Sequence, residues 1–539
     1  MIMKKLMIKI LHKTNYIKIA AFFMVSILII GFASSCKKNF LTDNTNPNNA
    51  TANMLQYDNL GTGAFFVQME ENVFAVDVNT YQLQQNLIGD VYSGYMGASD
   101  NWNSNQNTTT YFMTPSWTGV VFTRAYSQVM SGWLQIKNIS EVAHPDVYAL
   151  AQIIKIEAMH RVTDVYGPVP YSQYGSASLT TPYDSQSSIY SSFFTELDAA
   201  ISVLTDFVKF NPGVKPLAKY DLIYGGDYNA WIKFANSLKL RLAMHMVYAD
   251  PTNAQKYAEA AVAGGVMTSN TDNALLKSAN NIIINNPLET IWDGYSDIRM
   301  GANMESFLKG YNDPRIAAFF NMTTSTVPAD YHGIRNGISI SNLTPYRALS
   351  TLTVTNSTPI QWMVSAEMYF LRAEGAIRGW NMGGTPQSLY ELGVQTAFKQ
   401  AGVTIPATYL TDATSKAAAY TDVVTSGNSI STGLSTVTIK WNDADLFETK
   451  LERIITQKWI SMYPDGQEAW TEFRRTRYPL IFPVKVNNSA GAINTTTQIR
   501  RIPFPSNEYQ NNVYEVTKAV SLLNGPDNGG TKLWWDKKP

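Results

Sequence analysis

Few side chains in this 539-residue sequence are of types that carry covalent or metal chemistry: one cysteine and five histidines. His144, His160, His245 and His332 are scattered, with no His-Glu-x-x-His and no partner at ligand spacing, so the sequence encodes no local site for a metal-activated water. It also contains no Gly-x-Ser-x-Gly elbow, phosphate loop or dinucleotide fingerprint. No cofactor is expected. Carboxylates are plentiful, and a glycosidase pair needs only two of them about 5–9 Å apart, which keeps hydrolysis open as a minor alternative. Cys36, being alone, makes neither an internal disulfide nor a thiolate metal site. Non-covalent chemistry is better represented. Sugar rings present flat C–H faces to aromatic rings and hydroxyl edges to amides and carboxylates. "YSGYMGASDNWNSNQN" (92–107) sets Tyr92, Tyr95 and Trp102 beside Asp100, Asn101 and Asn103, with no apolar periodicity to bury the rings. "IWDGYSD" (291–297) offers a second group, Trp292 and Tyr295 with Asp293 and Asp297. Loop aromatics also plug clefts or dock partners, and that reading stands beside the first.

The flanks of Cys36 explain it. Lys4, Lys5, Lys9, Lys13 and Lys18 precede it without an acidic residue, and Ile19 to Ala33 is uncharged. A basic segment, an apolar run too short for the roughly 20 residues of a membrane-spanning helix, and small Ala33, Ser34 and Ser35 make an export signal. The arrangement resembles a bacterial lipobox, which implies removal of residues 1–35 and diacylation of Cys36. An uncleaved anchor with an incidental cysteine is the alternative. Residues 36–53 would then be the lipidated N-terminus and a polar, turn-rich tether, and 54–539 the folded domain.

Subtracting the five leader lysines from 42 basic residues leaves 37 against 42 acidic, a net charge of −5 that excludes a nucleic-acid binder. Charged residues are 16% of the chain, against about 25% in ordinary soluble proteins, while 30 tyrosines and 12 tryptophans are present. Such a surface suits an uncharged, hydroxyl-rich ligand.

Helical periodicity must position these loops. Val147, Ala151, Ile154, Ala158, Val162 and Val165 form one stripe, stopped by Gly167-Pro168. Trp231, Ala235, Leu238, Leu242 and Met246 form another, with Asp227 or Asn229 as its cap, and Pro251 opens a helix that runs to Gly264-Gly265. Ser365 is expected to cap a helix carrying Phe370 and Ile377. Leu451, Ile455, Trp459 and Met462 make a fourth stripe, broken at Pro464-Asp465-Gly466 before a short helix through Phe473. Paired helices of this kind are similar to tetratricopeptide packing. The segments 97–119, 321–360 and 403–440 read as loops or short strands. Arg474, Arg475 and Arg477, Arg500 and Arg501, and Trp534-Trp535 read as scaffold, and Trp231, Trp459 and Trp470 as core.

Seven segments occur in order: "ALAQIIKIEAMHRVTDVYGPVPYSQ" (149–173), "WIKFANSLKLRLA" (231–243), "DPRI" (313–316), "SAEMYFLRAEGAIRGW" (365–380), "ERIITQKWISMYPDGQEAWTEFRRTRYP" (452–479), "RRIPFPSNEY" (500–509) and "KLWWDK" (532–537). Behind a lipobox, this set resembles a SusD/RagB-type outer-membrane lipoprotein of the SusD-like branch. The resemblance implies a mostly α-helical fold with tetratricopeptide-like pairs, long irregular loops and a few short strands. It further implies a non-enzymatic, surface-facing glycan-capture protein, anchored by lipid to the outer membrane, that delivers oligosaccharides to a SusC-like TonB-dependent transporter. In the family, the N-terminal loop region commonly contributes binding aromatics. One departure is Lys37-Lys38-Asn39 after the cysteine, where surface-displayed members often carry acidic residues. A peptide or glycopeptide cargo, or a scaffold without small ligand, are the alternatives.

Overall fold

The computed structural model describes residues 60–539 other than 177, 179 and 324–328. Cys36 and the proposed tether lie outside the described residues. The principal helices are α1 (Leu60–Val73), α2 (Ser131–Ser140), α3 (Pro145–Tyr166), α4 (Gln186–Phe210), α5 (Tyr228–His245), α6 (Pro251–Gly264), α7 (Ser365–Ile377), α8 (Pro386–Gln400), α9 (Phe447–Met462), α10 (Gly466–Thr476) and α11 (Val513–Ser521). Caps set their starts. The Asp227 carboxylate accepts from the backbone N–H of Asn229 at 3.1 Å, Asp250 from Asn253 at 3.2 Å, and Asp465 from Glu468 at 3.3 Å. Helix α3 ends where Gly167 takes φ 87°, a value closed to most side chains. Ser365 differs from expectation. The cap position is Val364, and the Ser365 hydroxyl instead donates to Asn270 Oδ1 at 3.0 Å, tying α7 to a neighbouring turn.

Successive helices pack in pairs, α3 with α4, α5 with α6 and α7 with α8, and the pairs are joined through α4–α5 and α7–α9 contacts. The apolar stripes face these seams: Ile154, Val165, Trp231, Leu238, Phe370, Leu451, Trp459 and Trp470 are all buried. This is the mostly helical, tetratricopeptide-like architecture that the periodicity predicts.

Charged side chains lie at the centre of this core. Arg241 on α5 donates to Glu367 on α7 through Nε at 3.0 Å and a terminal nitrogen at 2.7 Å. Arg161 on α3 pairs with Asp465 at 3.0 Å, and Lys458 on α9 stands 3.3 Å from both Glu367 and Glu472. Arg475 on α10 is held between Glu374 and Glu472, each at 2.6 Å. Buried charges of this kind survive only when each is matched, so they fix which helix faces which. Arg474, Arg500, Arg501 and Trp535 are buried and Trp534 is partly so, in agreement with a scaffold role.

Two small antiparallel sheets fasten the irregular segments. Strand β1 (Met96–Ala98) pairs with β3 (Ile298–Met300), Gly97 opposite Arg299, and β2 (Ala274–Leu276) pairs with β4 (Ile360–Met363). A Cβ on Gly97 would lie 2.6 Å from Ile334, so only glycine admits that backbone against β1. Among the described residues, no helix is long and apolar enough to cross a membrane.

Candidate functional site

The two aromatic loops, some 200 residues apart in sequence, meet at β1–β3. Beyond the strands, the Ser99 amide donates to the Asp297 carbonyl at 2.8 Å and the Ser99 hydroxyl to the Ser296 carbonyl at 2.7 Å. Arg347, from a third segment, donates to the Asp100 carboxylate at 2.5 Å and stands 3.9 Å from Asp297. Burial pushes the Asp297 carboxyl up to about 6, against a 2.7 Å hydrogen bond from the Gln82 amide that favours its charged form. Burial and the nearby Arg347 charge push Arg299 down to about 10, while its guanidinium donates to the carbonyls of Arg347 and Trp292, each at 2.8 Å.

Trp102 begins a single helical turn whose next three residues are left-handed: Asn103 at φ 53°, Ser104 at 55° and Asn105 at 66°. Three consecutive non-glycine residues there are strained, and the neighbours hold them. Asn105 exchanges hydrogen bonds with the backbone of Ile340, receiving its N–H at 2.9 Å and donating to its carbonyl at 3.2 Å, and Asn101 donates to the same carbonyl at 3.1 Å. The turn thereby presents Asn103 and Ser104 to solvent with Trp102 half-buried beside them. The Trp102 ring meets Trp117 edge to face, with centroids 5.9 Å apart.

Two expected residues leave the site. Tyr92 is 5% exposed, stacks 5.2 Å from Trp470 and donates to the Thr108 carbonyl at 3.0 Å. Tyr95 is fully buried, donates to the Trp459 carbonyl and packs 5.4 Å from Tyr463. Tyr92 closes a helical stretch that starts at Val78 and packs on α10, and Tyr95 lies just before β1 under Trp459 of α9, a cover that the 92–107 segment taken alone does not reveal. Of the second group, Trp292 is half-buried and donates from its indole to the Val354 carbonyl at 2.8 Å. Tyr295 is 39% exposed, its hydroxyl 3.3 Å from Asn79 Oδ1, and Asp293 is exposed. Trp117 and Arg347 were not expected at the site. Trp117 sits in the polar turn "MTPSWTG", so the argument applied to Trp102 would have found it, whereas nothing local connects Arg347 to Asp100.

His160, His245 and Glu468, unlinked in sequence, bring ligand-type atoms within 4.8 Å of one another. The cluster is built for charge pairing. His245 faces Glu468 at 2.9 Å and Asp164 at 3.5 Å, and these carboxylates outweigh burial and push its imidazole up to about 9. Arg241 at 3.8 Å and Lys458 at 3.7 Å from Glu468 add positive charge that opposes a cation there.

Paired helices carrying a loop-built face of half-exposed aromatics, amides and one ion-paired arginine define a mostly helical binding scaffold. Residues 43–536 match the SusD-like family model, described as "Susd and RagB outer membrane lipoprotein", and the chain belongs to that family. It is similar to a chitin-binding SusD homolog from Flavobacterium johnsoniae, with 44% identity over 88% of this chain and 98% of that one and a TM-score of 0.85. A SusD homolog from Bacteroides uniformis is 39% identical over 89% and 99%, TM-score 0.83, and a SusD-like protein from Bacteroides thetaiotaomicron is 36% identical over 88% and 98%, TM-score 0.84. No curated protein matches it in sequence.

Proposed function

We propose that this protein captures oligosaccharides at the outer membrane and hands them to a SusC-like TonB-dependent transporter, without chemistry of its own. The observation that carries the reading is the joining of the two aromatic loops by β1–β3, with Trp102 partly exposed and Tyr295 exposed beside polar side chains and Trp117 against Trp102. Rings held this way stack on pyranose faces while Asn103, Ser104 and Asp100 meet hydroxyls. The chitin-binding relative supports a carbohydrate cargo. Anchoring through Cys36 and exposure to the cell exterior are part of the same proposal. A glycan array on the purified protein tests the cargo: binding confined to oligosaccharides supports it, and binding of peptides alone favours the peptide reading. Purification in mild detergent from the native host tests the partner. A lid that stays with its barrel needs a contact in the class of 2,000 Å² or more, so the barrel should co-purify. Recovery of the lipoprotein alone, where other outer-membrane complexes survive, counts against delivery.

A further inference from the structure

A cavity of about 410 Å³, within the size range of small-ligand sites, is lined by Thr80, by residues of the 115–127 segment and by Ser506 and Asn507. One wall is Thr80, whose neighbour Asn79 meets the Tyr295 hydroxyl at 3.3 Å. Pro115, Ser116 and Gly119, from the turn that bears Trp117, also line it, and Trp117 is itself against Trp102. The cavity is thus reached from both candidate aromatic groups through residues next in sequence, although no ring lines it, and sequence reading assigned it nothing.

Its lining is specific in kind. Arg124 is its one charged residue. The guanidinium is fixed through Nε, which donates to Asn72 Oδ1 at 2.5 Å, and among the described residues it makes no ion pair within 4 Å. Its terminal N–H groups are thus a held donor pair without an acceptor among the described residues. Glu71 and Asp77 lie beyond contact but within electrostatic reach, since the Arg124 charge favours the ionised form of both. Two carboxylates at that range oppose a further anion and leave a neutral acceptor as the better partner. Pro115 and Val120 add apolar surface, and Thr80 and Ser116 add hydroxyls. The Thr80 hydroxyl already donates to Asp77 at 2.6 Å, so its oxygen remains an acceptor.

A planar donor, a small apolar wall and a hydroxyl acceptor match the carbonyl, methyl and N–H of an acetamido group. We propose that this cavity is the subsite for the 2-acetamido group of an N-acetylated sugar, with Arg124 as the specificity-determining donor. The proposal rests on the oligosaccharide reading and adds a substrate class to it. A peptide amide has similar atoms; the sugar is taken from the oligosaccharide reading, and an N-acetylated peptide is an arm of the test.

Calorimetry with chitotetraose and cellotetraose, which share a β-1,4 backbone and differ at the acetamido groups, tests this directly. The wild type should bind chitotetraose at least tenfold more tightly. Arg124→Met should bring chitotetraose down to the cellotetraose level and leave cellotetraose unchanged, with an unaltered melting temperature because Arg124 is partly exposed. Ser506→Phe, placed on the exposed rim of the cavity, should have the same effect by filling it. Trp102→Ala should weaken both sugars alike. The subsite is refuted if the preference is absent, if it survives both cavity variants, or if Arg124→Met weakens both sugars equally. Tighter binding of a sulfated or uronate tetrasaccharide, or of an N-acetylated peptide, also refutes it. If the wild type binds neither tetrasaccharide but other glycans bind, only the subsite falls; if no glycan binds, the oligosaccharide reading falls with it.

Discussion

Trp102 and Trp117 stand edge to face, ring centroids 5.9 Å apart at 82°, each half-buried on a polar turn. Both rings pack on the edge of the main core without being buried in it, and each touches the other. Removing either should therefore affect ligand more than fold.

Trp102→Ala should weaken glycan binding by about tenfold or somewhat less, since one aromatic contact is worth of order 1 kcal/mol beyond its buried area. Trp117→Ala should act comparably, and the double variant should lose less than the sum because the rings touch. Titration calorimetry reads the affinities. An unchanged affinity in both single variants, or a large fall in melting temperature, assigns the pair another role.

Arg347→Met should loosen the site without unfolding the protein. Arg347 draws Asp100 and Asp297 together from a partly exposed position, where an ion pair contributes about 1 kcal/mol or less. Hydrogen exchange at the Ser99 and Asn105 amides should quicken while the helices keep their protection. Unchanged exchange at these two amides means that the β1–β3 pairing alone holds the loops.

Stability should fall as the medium turns alkaline. His245 has its folded pKa raised to about 9, so its contribution is fully present below the unfolded value of about 6.5 and is lost as pH rises through 9. The loss is of order 3 kcal/mol over that interval. Asp90, which burial pushes up to about 8, acts in the same direction over a window that begins at lower pH. Denaturant titrations at pH 6.5 and pH 9 measure the slope, and His245→Gln should flatten the His245 part. A profile as steep in the variant as in the wild type would rule out His245 as the source.

Arg475→Met should destabilise the protein by up to about 3–5 kcal/mol, because it leaves buried Glu374 with Arg378 alone and buried Glu472 with Lys458 alone. Arg475 is among the charges that hold the Glu374 carboxyl down at about 2 despite burial. Adding Glu374→Gln and Glu472→Gln to the same chain should recover much of the loss. Chemical denaturation compares the two variants, and equal stability would show that packing rather than charge matters there.

Cys36→Ser should abolish palmitate incorporation and leave the precursor uncut, as the residues before it imply. Labelling that persists in the variant would disprove the lipoprotein reading.

Much of the helical scaffold is legible locally. Stripes such as Val147 to Val165 and Leu451 to Met462, the cap at Asp227 and the stops at Gly167 and Pro464 depend on neighbours three or four residues away, so their physics is written in short windows of sequence. The motif order across the chain likewise suffices for the family. The loops obey a different rule. Whether a tyrosine at the edge of an element faces solvent or core depends on what covers it, and only α9 and α10 determine that Tyr95 and Tyr92 are inside while Trp102, a few residues on, is half-buried. The same holds for charges. His160, His245 and Glu468 are unrelated in sequence, and Arg347 lies 247 positions from Asp100. Their meaning comes from through-space contacts a few ångströms long, and helix pairing and the β1–β3 register create those contacts only when the whole chain has folded.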